Sequence, residues 1–125
     1  MEAQKWRVPS DHRDWLAGMV AAVDLTVCGE RFWVVHTLPA AVPEGVEIDE
    51  AVPYLAETRA ADLQWPSTPP ENVPKLDRTV VMGHQPQDEP VDLGWVVAVD
   101  TGAGTVPGGK LTAVVLPERR FVTAE

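Results

Sequence analysis

The chain of 125 residues contains a single cysteine, Cys28, and only ten basic residues against nineteen acidic ones. A lone thiol forms no internal disulfide and lacks the second thiolate that a cysteine metal site needs. The chain therefore reads as one of a reducing compartment, with the cytoplasm as the default. The formal charge of −9 argues against nucleic acid as a bulk partner, because the carboxylates would repel a phosphate backbone. No run of about 18 or more apolar residues is present, and MEAQKWRVPSDHRDW lacks the apolar stretch of a signal peptide. A soluble protein without a membrane partner is expected. The GK[ST] ending of a phosphate loop is also missing: TGAGTVPGGK continues as GGKL, so a nucleotide cradle there is a poor reading.

The residues present build one core. A hydrophobic content of 45% over this length suits one domain spanning 1–125, and the twelve prolines and nine glycines fall between apolar runs as the punctuation of a loop-rich fold. Ser10 before DHRDWLAGMVAA, whose first residue is Asp11, predicts a capped short helix with Trp15, Leu16 and Met19 on one face. VDLTV (23–27) and RFWVVH (31–36) flank Cys28, Gly29 and Glu30 and predict a hairpin. Between 48 and 60 a helical spacing appears, and Pro53 interrupts it, predicting loop with one short helix. DLQWPSTPPENVPKLD, with four prolines between Trp65 and Lys75, predicts an extended surface loop. RTVVMG (78–83), WVVAVD (95–100), KLTAVVL (110–116) and RFVTA (120–124) predict strands. The nearly continuous apolar character of WVVAVD suits a strand covered on both faces. The fold class expected is α+β, dominated by strands, with few helices to cover a sheet.

His36 ends RFWVVH and His84 follows TVVMG, each where a strand gives way to a turn containing proline. Neighbouring strand ends bring such residues to one sheet edge, where imidazoles can converge on a metal. Gly83, before His84, suits a place of close approach by another backbone or a ligand. The separation of the two histidines matches no metal motif, so taken alone they read as ordinary strand-end residues more readily than as ligands.

The order of motifs adds to this. DWLAGM, VVHTLPA, the DLQW of Asp62–Trp65, the GHQP of Gly83–Pro86, and DTGA followed by GGKLTA together resemble the C-terminal half of the calcineurin-like metallophosphoesterases. The closest branch is that of the phosphoprotein phosphatases, with bacterial serine/threonine phosphatases and diadenosine tetraphosphatases. The resemblance covers about residues 12–122. It implies half of a β-sandwich with a few short helices, and His36 and His84 as ligands of one of two divalent metals, manganese, iron or zinc. It also implies hydrolysis of phosphomonoesters or dinucleoside polyphosphates by a metal-bound water, two metals about 3.5–4 Å apart clamping the phosphoryl oxygens. The substrate expected is a phosphorylated small molecule, a nucleotide or a phosphoprotein.

The departures are as concrete. GDxHG, GDxxDRG and GNHE, which carry the family's other ligands and its catalytic histidine, appear nowhere in the 125 residues. Metal binding is then incomplete in this chain, and no catalytic residue is assigned. His36 is followed directly by Thr37 and Leu38, so the glycine expected there is replaced or deleted, and the alignment of HT with LPA suggests a one-residue deletion. Arg59 lies where the family places a substrate-binding arginine, although its local motif does not match. Asp100 reads either as a carboxylate behind the metal ligands or, preferably, as the cap of a tight turn. Lys110 reads as an edge charge, Arg78 and His12 as surface residues, and Trp15 and Trp33 as core. Three readings share the fold: an enzyme half completed by a second chain, a truncated product, and an inactive remnant serving as a binding module. A half sandwich would expose an apolar sheet face, which predicts a partner chain, self-association or poor solubility.

Overall fold

Two residues with positive φ, Cys28 (50°) and Gly29 (81°), turn the chain between β1 (Ala22–Val27) and β2 (Glu30–Val35). This is the two-residue hairpin turn whose twist matches that of the strands, and Val27 lies opposite Glu30 across it. The computed structural model that reveals this hairpin describes residues 7–39, 42–64 and 68–124. Ala40 and Trp65, the last residues of VVHTLPA and DLQW, lie outside them.

A five-stranded mixed sheet runs in the order β1-β2-β3-β5-β4, with β3 at Thr79–Met82, β4 at Val91–Asp92 and β5 at Val96–Ala98. The two edge pairings are antiparallel, whereas β2, β3 and β5 run parallel. Side chains alternate between the faces of a strand, so Trp33, Val80, Val96 and Ala98 share one face, and Phe32, Val81 and Val97 share the other. All three β5 residues are buried, as expected of a strand covered twice.

The first face is covered by α2 (Ile48–Thr58), which buries Ala51, Val52 and Leu55. The helix continues through Pro53, contrary to the expected interruption. Pro53 is exposed and forfeits one backbone bond, while the apolar stripe beside it packs into the core. The proline-rich stretch also departs from the expected surface loop. It forms 3₁₀ turns at Ala60–Leu63 and Pro70–Asn72, and Leu63 and Val73 are core residues. The Trp95 indole N–H donates to the Val73 carbonyl at 2.7 Å.

The second face carries a hairpin of β6 (Leu111–Val115) and β7 (Arg120–Ala124), whose Val114 and Phe121 pack with Phe32, Val81 and Val97. A row of hydroxyls joins this hairpin to the chain after β5: Thr101 meets Thr112 at 2.7 Å and Thr112 meets Thr123 at 2.9 Å. At its turn Arg119 donates to Thr79 Oγ1 (2.7 Å), Gly94 carbonyl (2.8 Å) and Asp92 Oδ1 (3.1 Å). The architecture is thus α+β with strands dominant, as the sequence predicts.

Two expectations fail at the periphery. Helix α1 (Ser10–Ala17) begins at Ser10 itself, with Pro9 as the capping residue, and buries none of its side chains; Trp15 is 70% exposed. Arg78, expected on the surface, has a side chain only 8% exposed, lying over the Trp33 ring at 4.3 Å. It pairs with Asp77 and Asp24, which also engage Arg31, so the guanidinium enters the protein with its charge balanced. The Arg78 hydrogen bond, ahead of other causes, holds the Asp77 carboxyl below the usual carboxylate range. Among the described residues no helix is long and apolar enough to cross a membrane.

Candidate metal centre

Because β2, β3 and β5 are parallel neighbours, the residues following them emerge at one edge of the sheet: His36 after β2, Gly83 and His84 after β3, Asp100 after β5. The carboxyl ends of parallel strands are where open sheets place their ligands. His36 Nε2 lies 2.8 Å from His84 Nδ1, with the rings inclined at 68° and their centroids 4.7 Å apart. The backbone that delivers them is knitted across the same edge. Gly83 N–H donates to the His36 carbonyl at 3.0 Å and Val99 N–H to the Met82 carbonyl at 3.0 Å.

His84 reaches this position at a φ of +68°. Gln85 N–H donates back to the Gly83 carbonyl at 2.8 Å, closing a three-residue turn around His84. A γ-turn with positive φ is rare and strained for a residue with a side chain. The strain sits on the histidine and not on its glycine neighbour. A Cβ placed on Gly83 would meet Asp100 Cβ at 3.8 Å and the His36 carbonyl at 3.9 Å, ordinary contacts, so the close approach expected at Gly83 does not require a glycine. Downstream, Gln87 N–H binds the Asp100 carbonyl and its side-chain amide binds the Gln85 carbonyl, which holds the loop after His84 in place. No motif in the sequence points to Gln87.

After His36 the chain dives inward: Thr37 and Leu38 are fully buried. Thr68 Oγ1 lies 3.2 Å from the Pro39 carbonyl and 3.4 Å from that of Leu38, fastening this turn to the proline-rich stretch. The residues that follow His36 therefore serve as an anchor.

The His36 pKa is lowered by partial burial first and by the neighbouring His84 second, while Asp100 acts in the opposite direction. Asp100 thus influences His36 electrostatically, and it also caps a turn, since its Oδ1 accepts the Gly102 N–H at 2.9 Å. Arg59 lies elsewhere. It ends α2, two-thirds exposed, with its guanidinium 2.9 Å from Asp62. Lys110 is exposed and its backbone pairs with Thr101.

The imidazole pair offers donors of the type a metal takes, and its two nitrogens, at 2.8 Å, share a hydrogen bond that a cation would have to replace by parting the rings. With metal–nitrogen bonds of about 2.0–2.1 Å, cis ligands lie roughly 2.9–3.0 Å apart around an octahedral ion and roughly 3.3 Å apart around a tetrahedral one. The donor count does not reach that of a closed site. Among the described residues no group of three or more His, Cys, Asp or Glu side chains is arranged to hold a cation. An apolar groove of about 1390 Å³, lined by Leu16, Met19, Val20, Trp33 and Val52 among others, leads to His36. No protein-family model matches the chain, and no curated protein matches it.

Proposed function

We propose that His36 and His84 supply two ligands of a divalent cation, manganese, iron or zinc, in a metal-dependent phosphoesterase of calcineurin-like type. The remaining ligands come from outside the described residues. The observation that carries this reading is the 2.8 Å approach of two imidazole nitrogens from adjacent parallel strand ends. When bound, the cation would activate water and neutralise a phosphoryl oxygen. The substrate class is a phosphomonoester or a dinucleoside polyphosphate. His36 contributes by staying neutral at physiological pH, since burial and His84 both disfavour its protonation. The γ-turn fixes the direction of the His84 ring, and Asp100 adds negative charge close to the cation position. The lone, exposed Cys28 fits a reducing cytoplasmic setting.

A specific observation favours a second reading. Two donors with an anchored, glycine-free turn after His36 also suit a remnant that has lost catalysis and kept the scaffold as a binding module. One set of measurements separates the readings. Manganese and zinc are titrated into the chain and into the His84→Ala variant while ring resonances are followed. Hydrolysis of p-nitrophenyl phosphate and diadenosine tetraphosphate is then assayed with and without a chain carrying GDxHG and GNHE motifs. Weak metal binding lost in His84→Ala, with activity only in the mixture, is expected. Binding without activity in the mixture selects the remnant. Metal binding unchanged in His84→Ala, or strong hydrolysis by the chain alone, overturns the incomplete two-histidine site.

A further inference from the structure

The two edges of the main sheet are built differently. The β4 edge is two residues long, preceded by Asp88, Glu89 and Pro90, and its Asp92 is held by Arg119. Short length, proline and acidic side chains are the usual devices that stop an edge from pairing. The β1 edge has none of these except Asp24. It is six residues long and regular, and among the described residues it has a strand neighbour on one side only. Beside it stand Leu16, Met19 and Val20, each at least half exposed.

The register of the β1 hairpin shows what this edge offers. Val27 and Glu30 close a two-residue turn and so form a mutually hydrogen-bonded pair, and the ladder alternates from there. The backbone groups of Val23, Leu25 and Val27 are spent on β2. Those of Ala22, Asp24 and Thr26 point outward.

We infer that β1 pairs antiparallel with β1 of a second copy of this chain, about a two-fold axis at Leu25, joining two sheets into one of ten strands. In this register Leu25 faces Leu25, Val23 faces Val27, and Asp24 faces Thr26 of the other copy. The outward N–H and C=O groups of Asp24 and Thr26 then meet their counterparts in two symmetric pairs. Each carboxylate lies opposite a hydroxyl, and the apolar residues of both strands stay on one face. Shifting the register by two residues toward the strand start would instead set Asp24 against Asp24, which like-charge repulsion disfavours. A two-fold contact of this kind is self-complementary and closed. The pairing is independent of any role of the histidines.

Thr26 is the test position, because its side chain would face Asp24 of the second copy twice in each dimer. Sedimentation equilibrium of the full chain, from about micromolar to about millimolar concentration, should show a monomer–dimer equilibrium. Thr26→Lys should tighten the dimer Kd and Thr26→Asp should weaken it, each by roughly 2- to 30-fold from two cross-strand charge contacts. Thr26→Pro, which removes the outward N–H, should leave a monomer with an unchanged circular dichroism spectrum. A purely monomeric wild type, or lysine and aspartate variants that move Kd in the same direction, would overturn the pairing. Since both charge variants remain compatible with a strand edge, the result does not depend on the proline variant folding.

Discussion

His84 combines two features that are separable by mutation, a strained backbone and an imidazole. Its φ of +68° costs a residue with a Cβ about 1–2 kcal/mol relative to glycine. His84→Ala and His84→Gly both remove the ring and its contact with His36, so their difference isolates the backbone. His84→Gly should be the more stable by about 1 kcal/mol in urea unfolding; equal stabilities would show that the turn stores no strain. The partner ring gives a pH prediction. Because the folded-state pKa of His36 lies below its unfolded value, the unfolded chain binds more protons in the window between the two. The contribution of His36 to stability is therefore full above the ordinary histidine value of about 6.5 and is lost as the pH falls through the folded-state pKa. In ring-proton titrations by NMR, His36 should titrate below that ordinary value. Asp100→Asn should lower it further, because the carboxylate is the one group raising it, and His84→Ala should raise it. A wild-type His36 at or above the ordinary value would contradict the assigned causes.

At the scale of elements, the β6–β7 hairpin is the piece most dependent on a few polar contacts. Arg119 joins its turn to β3, to β4 and to the turn before β5 with three hydrogen bonds from a side chain one-quarter exposed. Removing it leaves the Thr79 hydroxyl and the Asp92 carboxylate without that partner, and Arg119→Ala should cost about 1–3 kcal/mol. Arg119→Lys should recover only part of this, since an ammonium cannot span three acceptors as the planar fork does. Amide hydrogen exchange should quicken first within 111–124; uniform quickening across all strands would indicate a global effect instead. The strands themselves were legible, because alternation and turn residues are local signals: the bounds of all four downstream runs lie within two residues of those of β3, β5, β6 and β7. Two features were not. β4 is held by pairing with β5 and by Arg119, which no local pattern announces. The proline-rich stretch reads as loop by its backbone, yet Leu63 and Val73 are drawn into the core by an apolar sheet face that the sequence does not place beside them.

The whole molecule is a sheet with two covers and an appendage, and its histidine edge follows from that topology. Strand ends carrying His36 and His84 were legible as similar local situations. Their 2.8 Å approach depends on β2 and β3 being parallel neighbours, a non-local fact, and the γ-turn that aims His84 has no sequence marker. The same limit explains the tryptophans, which share an apolar context in the sequence and part company in the fold. Trp33 faces the α2 side of the sheet from β2, 2% exposed, with the Arg78 guanidinium over its ring. Trp15 stands on a helix that buries nothing, 70% exposed. Trp33→Ala removes a large buried ring and leaves a cavity that rigid strands fill poorly, so it should cost about 3–5 kcal/mol. Trp15→Ala should change stability by less than about 0.5 kcal/mol, as for a surface position without packing partners. Urea unfolding at concentrations where the chain is monomeric measures both. A large loss for Trp15→Ala under those conditions would mean that α1 belongs to the core, whereas a loss appearing only as the chain associates would place that helix at the contact between copies.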